Sequence, residues 1–202
     1  MILITPLSHT NFPEAPMEEH ADLLEQRIIN TTIKQIREEG YAAISLRKIA
    51  SQIDVTTGAF YKRFDSKAAL FAAVTASLSH SLAQQVQELV APISDPTEKL
   101  LRTAELLLDK FQRDPHTMDF LFFNPTAQKF SGDAPPDSRF PFYNYVMEII
   151  ADLQQIHRNL DPHKLFIQIW SFIQGYGLLI AKHATSYDPE LIETTLNSFL
   201  KA

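Results

Sequence analysis

A chain of 202 residues, 45% of them hydrophobic and 10% aromatic, is long enough to bury one sizeable core or two small ones. It contains no cysteine, which excludes a disulfide framework and thiolate metal sites and suits a reducing cytoplasm, the expected location. The formal charge is -6, so any surface for a polyanion has to be local.

From the N-terminus, residues 1–16 carry no basic leader and their apolar run is broken by Pro6, so they read as a flexible tail and not a signal peptide. Glycine is scarce, at five, and the apolar spacing beyond the tail is helical nearly throughout, which predicts an all-α fold. Helices are expected at about 17 to 39, 46 to 53, 57 to 63, 67 to 91, 96 to 113, 115 to 129, 139 to 158, 162 to 184 and 189 to 201. Four of them begin at an Asp-Pro pair: Asp95-Pro96, Asp114-Pro115, Asp161-Pro162 and Asp188-Pro189. Aspartate accepts the free amides of a first turn and proline at the first helical position loses no needed donor. Ser131 to Ser138, with its Pro-Pro pair, reads as the internal loop. The uncharged run Leu165 to Ala181 is shorter than a bilayer span and is broken by Gln168, Ser171 and Gln174, so a helix buried in protein is expected and no membrane partner.

The early helices are short, tightly connected and locally basic. Ser45 precedes Leu46, Ile49, Ala50 and Ile53, an amphipathic stripe headed by an N-cap. After Asp54 and Val55, Thr56 can cap a second helix whose Phe60 and Phe64 lie one turn apart and point inward. Two such helices joined by a short turn make a helix-turn-helix. With Phe60 and Phe64 inside, Gly58, Ala59 and Lys62 point away from the core, flanked by Tyr61 and Arg63. A glycine there lowers helix propensity by up to about 1 kcal/mol, which close approach to another surface explains. Tyr41 to Lys67 holds five cations against two acids, a balance of +3, so the remainder carries -9. That asymmetry draws a polyanion to one end of the molecule.

From about Ile28 to Phe71 the segments G-Y-A-A-I-S-L-R-K-I-A, V-T-T-G-A-F-Y-K-R-F and D-S-K-A-A-L-F resemble the DNA-binding domain of the TetR (tetracycline repressor) family. The resemblance implies a flexible tail over 1–16, a DNA-binding domain over 17–67 and a helical effector-binding and dimerisation domain over 68–202. It implies a homodimeric repressor on a palindromic operator, released by a small effector, with no cofactor and no catalysis. The positions it places at or near double-stranded DNA are Ser45, Arg47, Thr56, Thr57, Gly58, Ala59, Tyr61, Lys62, Arg63 and Lys67, of which Ser45 and Lys67 match positions that touch phosphate. Asp54 stands where glycine is common, and aspartate tolerates the left-handed turn.

The later helices are rich in aromatics, which read as plain core or as the lining of an apolar cavity. As a set they favour an apolar effector held among Leu107, Phe111, Met118, Phe122, Tyr143, Met147, Trp170 and Gln174. The Pro162 to Lys182 helix is apolar all round, so one face is expected to meet the core and another a partner. The stripes Ile169, Phe172, Ile173, Tyr176, Ile180 and Leu191, Thr195, Leu196, Phe199 are the expected dimer interface, with Gly175 and Gly177 allowing close helix approach. A helical enzyme is the rival class, but no His-Glu-x-x-His, P-loop, Gly-x-Ser-x-Gly or GxGxxG pattern occurs and the histidines are scattered, so neither enzyme nor metal site is expected. A helical small-molecule-binding or adaptor protein without operator binding stays open, although it leaves Gly58 among cations unexplained.

Overall fold

Residues 17–125 and 140–201 are described by the structure, a computed structural model. Among them the helices are α1 Met17–Glu39, α2 Leu46–Gln52, α3 Thr57–Tyr61, α4 Lys67–Val90, α5 Pro96–Arg113, α6 Pro115–Phe123, α7 Pro141–Ile156, α8 Pro162–Ala181 and α9 Pro189–Lys201, with a 3-10 turn at Tyr41–Ala43 and no strand. The all-α expectation holds. Helix ends differ by at most three residues from those read in the sequence where both can be compared, apart from α6, which stops at Phe123. The expected tail at 1–16, the loop Ser131 to Ser138 and the stretch 126–129 assigned to α6 lie outside the described residues.

All four Asp-Pro pairs open helices. Asp95, Asp161 and Asp188 accept the amide N–H of Thr97, Lys164 and Glu190, each at 3.0 Å, and Asp114 accepts that of Thr117 at 3.4 Å. Asp114 also closes α5, so a single residue separates two helices. Such caps satisfy first-turn donors that would otherwise have no partner, at about 1 kcal/mol each.

Two apolar cores share α4. The first gathers Ile28 and Ile36 of α1, Ile49 of α2, Phe60 of α3, and Leu70, Phe71 and Val74 of α4. The second takes Leu82, Val86 and Val90 from farther along α4 and packs them with α5 to α9. Leu78 touches both, so the cores meet inside α4. Phe120 crosses this division: it sits on α6 yet is fully buried in the first core, with its ring edge-on to Phe71 at 5.0 Å and to Tyr41 at 5.9 Å. Its neighbours Met118, Leu121 and Phe122 face the second core. Helix α6 thus packs against both cores, while His116, Asp119 and Phe123 stay exposed. At the same junction Arg37 pairs with Asp114 at 2.8 Å, and His116 Nδ1 lies 3.0 Å from the Arg37 carbonyl.

Helix α8 is long and apolar enough to cross a membrane by length and composition alone, but one of its faces is built into the second core. Five of the nine residues of the expected dimer stripes lie in that core. Ile169, Ile173, Tyr176 and Ile180 are buried against α5, α7 and α9 of the same chain, as is Leu196 of α9. Phe172, Thr195 and Phe199 are half-buried, and Leu191 alone of the set is exposed. The outward face of α8 instead carries Ile167, Ser171, Gly175, Leu178 and Leu179. The helix is two-faced as expected, but in an all-apolar helix the sequence pattern does not say which face turns inward. The glycines divide likewise. A Cβ on Gly177 would lie 2.4 Å from the Phe111 ring, so this glycine admits α5, whereas Gly175 looks into open space.

Candidate nucleic-acid interface

The interface starts at the turn after α2. Ile53 N–H returns to Ile49 O at 3.3 Å and Val55 N–H reaches back to Ala50 O at 3.0 Å, closing the helix around Asp54 at φ 54°. Only a few residue types enter this left-handed region without large strain, and aspartate is one. Thr56 then caps α3, its Oγ1 accepting the Ala59 N–H at 3.1 Å. Both assignments agree with the sequence reading. Ser45 differs: it holds the N-cap position of α2, but its side chain makes no capping bond, which leaves an exposed hydroxyl at the start of that helix.

Phe60 and Phe64 anchor α3 in the first core, their ring centroids 6.2 Å apart. That fixes the opposite face: Thr57, Gly58, Tyr61, Lys62 and Arg63 are exposed and Ala59 is half-buried. Tyr61 stands edge-on to Phe60 at 5.9 Å while remaining 48% exposed, so the ring is held in place with its hydroxyl end toward solvent. A Cβ at Gly58 would meet nothing closer than the Thr56 hydroxyl at 3.9 Å. Nothing within the chain therefore requires glycine here. The outcome is a short helix with a low centre and cations to one side, a shape that admits a base edge or a phosphate without displacing protein atoms.

The cations of this region fall into two groups. Arg47, Lys62 and Arg63 are exposed and, among the described residues, form no ion pair. Lys48 pairs with Glu39, and its ammonium, with help from Gln35, holds the Glu39 carboxyl below the usual carboxylate range. Lys67 donates to the Ile44 carbonyl at 2.9 Å and lies 5.2 Å from the centroid of Phe71. Arg27, which the sequence reading passed over, donates to the Ile53 carbonyl at 3.1 Å. No local pattern announces Arg27, because its partner is 26 residues away.

Residues 28–74, the segment that forms nearly all of this surface and its core, match the model of the bacterial regulatory proteins, tetR family. The resemblance to the TetR family is borne out over those residues. Over 45 residues the chain is 44% identical to the uncharacterized HTH-type transcriptional regulator YerO of Bacillus subtilis (strain 168), a match that takes in 22% of this chain and spans only 16% of the length of that relative. Among solved structures, a TetR family transcription regulator from Marinobacter aquaeolei VT8 superposes with a TM-score of 0.66 at 17% identity, over 92% of this chain and 97% of that one. The multidrug binding protein EbrR complexed with ethidium superposes at 0.63 with 18% identity, over 92% and 99%. At such identities the likeness is one of fold.

The residues expected to hold an effector are dispersed through the second core and its edge. Between α5, α7 and α8 lies a cavity of about 20 Å³, room for a single water, lined in part by Leu107, Phe142, Phe166 and Trp170. Of the expected set only Leu107 and Trp170 reach it. Phe111, Met118 and Phe122 are buried beside it, Phe111 stacking on Phe122 at 6.1 Å, and Trp170 meets Phe122 edge-on at 4.8 Å. Tyr143, Met147 and Gln174 are half-buried and do not line the cavity. The list derived from aromatic content alone thus mixes core with lining. Among the described residues no group of histidines and carboxylates is disposed to hold a metal ion.

Proposed function

We propose that this chain is a cytoplasmic, non-enzymatic transcriptional repressor that binds a palindromic operator as a homodimer and leaves it when a small, largely apolar effector enters the C-terminal bundle. The observation that carries the reading is the exposed face of α3, where Gly58 and half-buried Ala59 lie low beside Thr57, Tyr61, Lys62 and Arg63. These residues would enter a major groove, with Ser45 and Arg47 on the adjacent backbone. An adaptor that binds only protein has no use for a low centre bordered by unpaired cations.

The test is binding to duplexes selected by the protein from a random pool, measured across a range of salt. Affinity should fall steeply with salt, and Lys62→Ala should weaken it and flatten the slope of log K against log salt by about 0.9, the amount expected for one lost phosphate contact. Failure to enrich any duplex overturns the DNA reading.

The homodimer is supported by the outward apolar face of α8, where Ile167, Leu178 and Leu179 are 41–50% exposed around Gly175, with Leu191 of α9 nearby in sequence at 42%. A two-fold interface can bury such a face against its copy. Leu179→Glu should convert the dimer to a monomer by light scattering at micromolar concentration, and a monomeric wild type sinks this part.

For the effector, the support is the aromatic lining around Trp170 together with the ethidium held by EbrR. Trp170 is the single tryptophan of the chain, so a ligand entering the bundle should change its fluorescence and raise the melting temperature. Ethidium without DNA is the first probe. Unchanged fluorescence and melting across a panel of small aromatic compounds would remove the effector from the proposal.

A further inference from the structure

Helix α2 is held at both ends by cations that come from outside it. At its C-terminal end Arg27, from α1, donates to the carbonyl of Ile53, the capping residue, at 3.1 Å. At its N-terminal end Lys67, the first residue of α4, donates to the carbonyl of Ile44 at 2.9 Å, immediately before Ser45. The same ammonium rests 5.2 Å from the Phe71 centroid, and Phe71 is in turn packed edge-on against Tyr41 at 6.3 Å and Phe120 at 5.0 Å. A charge-assisted bond to a carbonyl and an aromatic face both engage the ammonium of this otherwise exposed side chain.

We infer that Lys67 acts on DNA binding as a positioning residue, fixing the start of α2 through the Ile44 carbonyl, and not as a phosphate ligand. The inference rests on the DNA-binding reading above and departs from the role that the family resemblance implies for this position. The mechanical case is direct. Ile44 has its side chain in the first core and its carbonyl on Lys67, so both sides of this residue are fixed before the chain reaches Ser45 and α2. The turn at Asp54 then ties α2 to α3 with few free torsions. A slip at Ile44 would therefore be passed to the reading face of α3, whereas the ammonium itself need not touch DNA.

The two roles separate by measurement. Contacts to phosphate weaken binding about equally on all sequences and each contributes about 0.9 to the salt slope; misplacement of a reading helix weakens the preferred sequence most and leaves the slope nearly as it was. Lys67→Met keeps a flexible apolar stem against Phe71 and removes the donor. For this variant of the full chain we expect about a tenfold loss of affinity for a duplex selected by the wild type, little loss for an unrelated duplex, and a slope within about 0.3 of wild type. Amide exchange of Leu46 to Ile49, in protein without DNA, should quicken. Lys62→Ala serves as the phosphate-contact control, and measurements stay below the melting temperature of every variant so that only folded protein is compared. A slope lower by about one with equal losses on both duplexes would make Lys67 a phosphate ligand and overturn the inference. So would unchanged affinity, and so would unchanged exchange in α2. Should Lys67→Met not fold, Lys67→Gln, which can still donate to a carbonyl without a charge, supplies the test: retained sequence preference and salt slope support positioning, and a slope lower by about one overturns it. Failure of the wild type to select any duplex is a different result, since it removes the underlying reading.

Discussion

The two cores are made from similar residues and yield very different amounts of information. In the first, each side chain that turns outward on α3 does so because Phe60 and Phe64 turn inward only one helical turn apart. In the second, Phe111, Phe122, Phe142, Phe166 and Trp170 pack together from four helices across nearly 60 residues. Local periodicity decides inside from outside in the first case. In the second that decision belongs to contacts between distant segments, and the difference between a core aromatic and a cavity aromatic is a matter of a few ångströms.

Phe120 tests how separate the two cores are, and carries the largest expected effect. It belongs by sequence to the second region and by packing to the first, fully buried against Phe71 and Tyr41. Phe120→Ala should cost about 3–5 kcal/mol in denaturant unfolding, with the loss of amide protection appearing first in α1 and α4. Loss of protection confined to α5 to α9 would show that the cores are independent and the comparison too weak.

Gly177 probes the second core at its tightest contact. A methyl group there would sit 2.4 Å from Cδ2 and 2.7 Å from Cγ of Phe111, so the ring has to move. Gly177→Ala should destabilise by about 1–3 kcal/mol through overpacking, and Phe111→Leu in the same chain should recover part of that. Thermal melting of the two single variants and the double variant measures it; a neutral Gly177→Ala would mean that α5 and α8 can part cheaply.

The smallest effect sharpens the comparison on the other side. Asp54 holds a left-handed conformation at φ 54° on an exposed turn. Asp54→Gly removes that strain and should stabilise by up to about 1 kcal/mol, while raising DNA affinity by deleting a negative charge near α3. Melting and duplex binding read the two consequences separately.

How much was legible follows from the same physics. Thr56, Asp54 and the four Asp-Pro pairs act within four residues of themselves, and their roles can be read before any fold is known. Lys67 and Arg27 act across 23 and 26 residues, so their carbonyl partners are invisible in the string, and Lys67 looks like any exposed cation. On α8 the pattern carries too little contrast: apolar residues surround the axis, and the buried stripe through Ile169, Ile173, Tyr176 and Ile180 is as regular as the outward one. The run Phe120-Leu121-Phe122 does carry a usable signal, since three successive large apolar residues span more of a helix than one buried face can take.

Helix α4, like the shorter α6, takes part in both cores, and its length has a consequence of its own. Its 24 residues make a rod of about 36 Å, packed at one end with Leu70 and Phe71 and at the other with Val86 and Val90. A tilt of about 5° at the far end carries the near end sideways by about 3 Å, close to the rise of about 3.4 Å per base along the axis of a DNA duplex. A rearrangement in the second core smaller than a methyl group's width can thus be delivered, one rod-length away, as an error of about one base step.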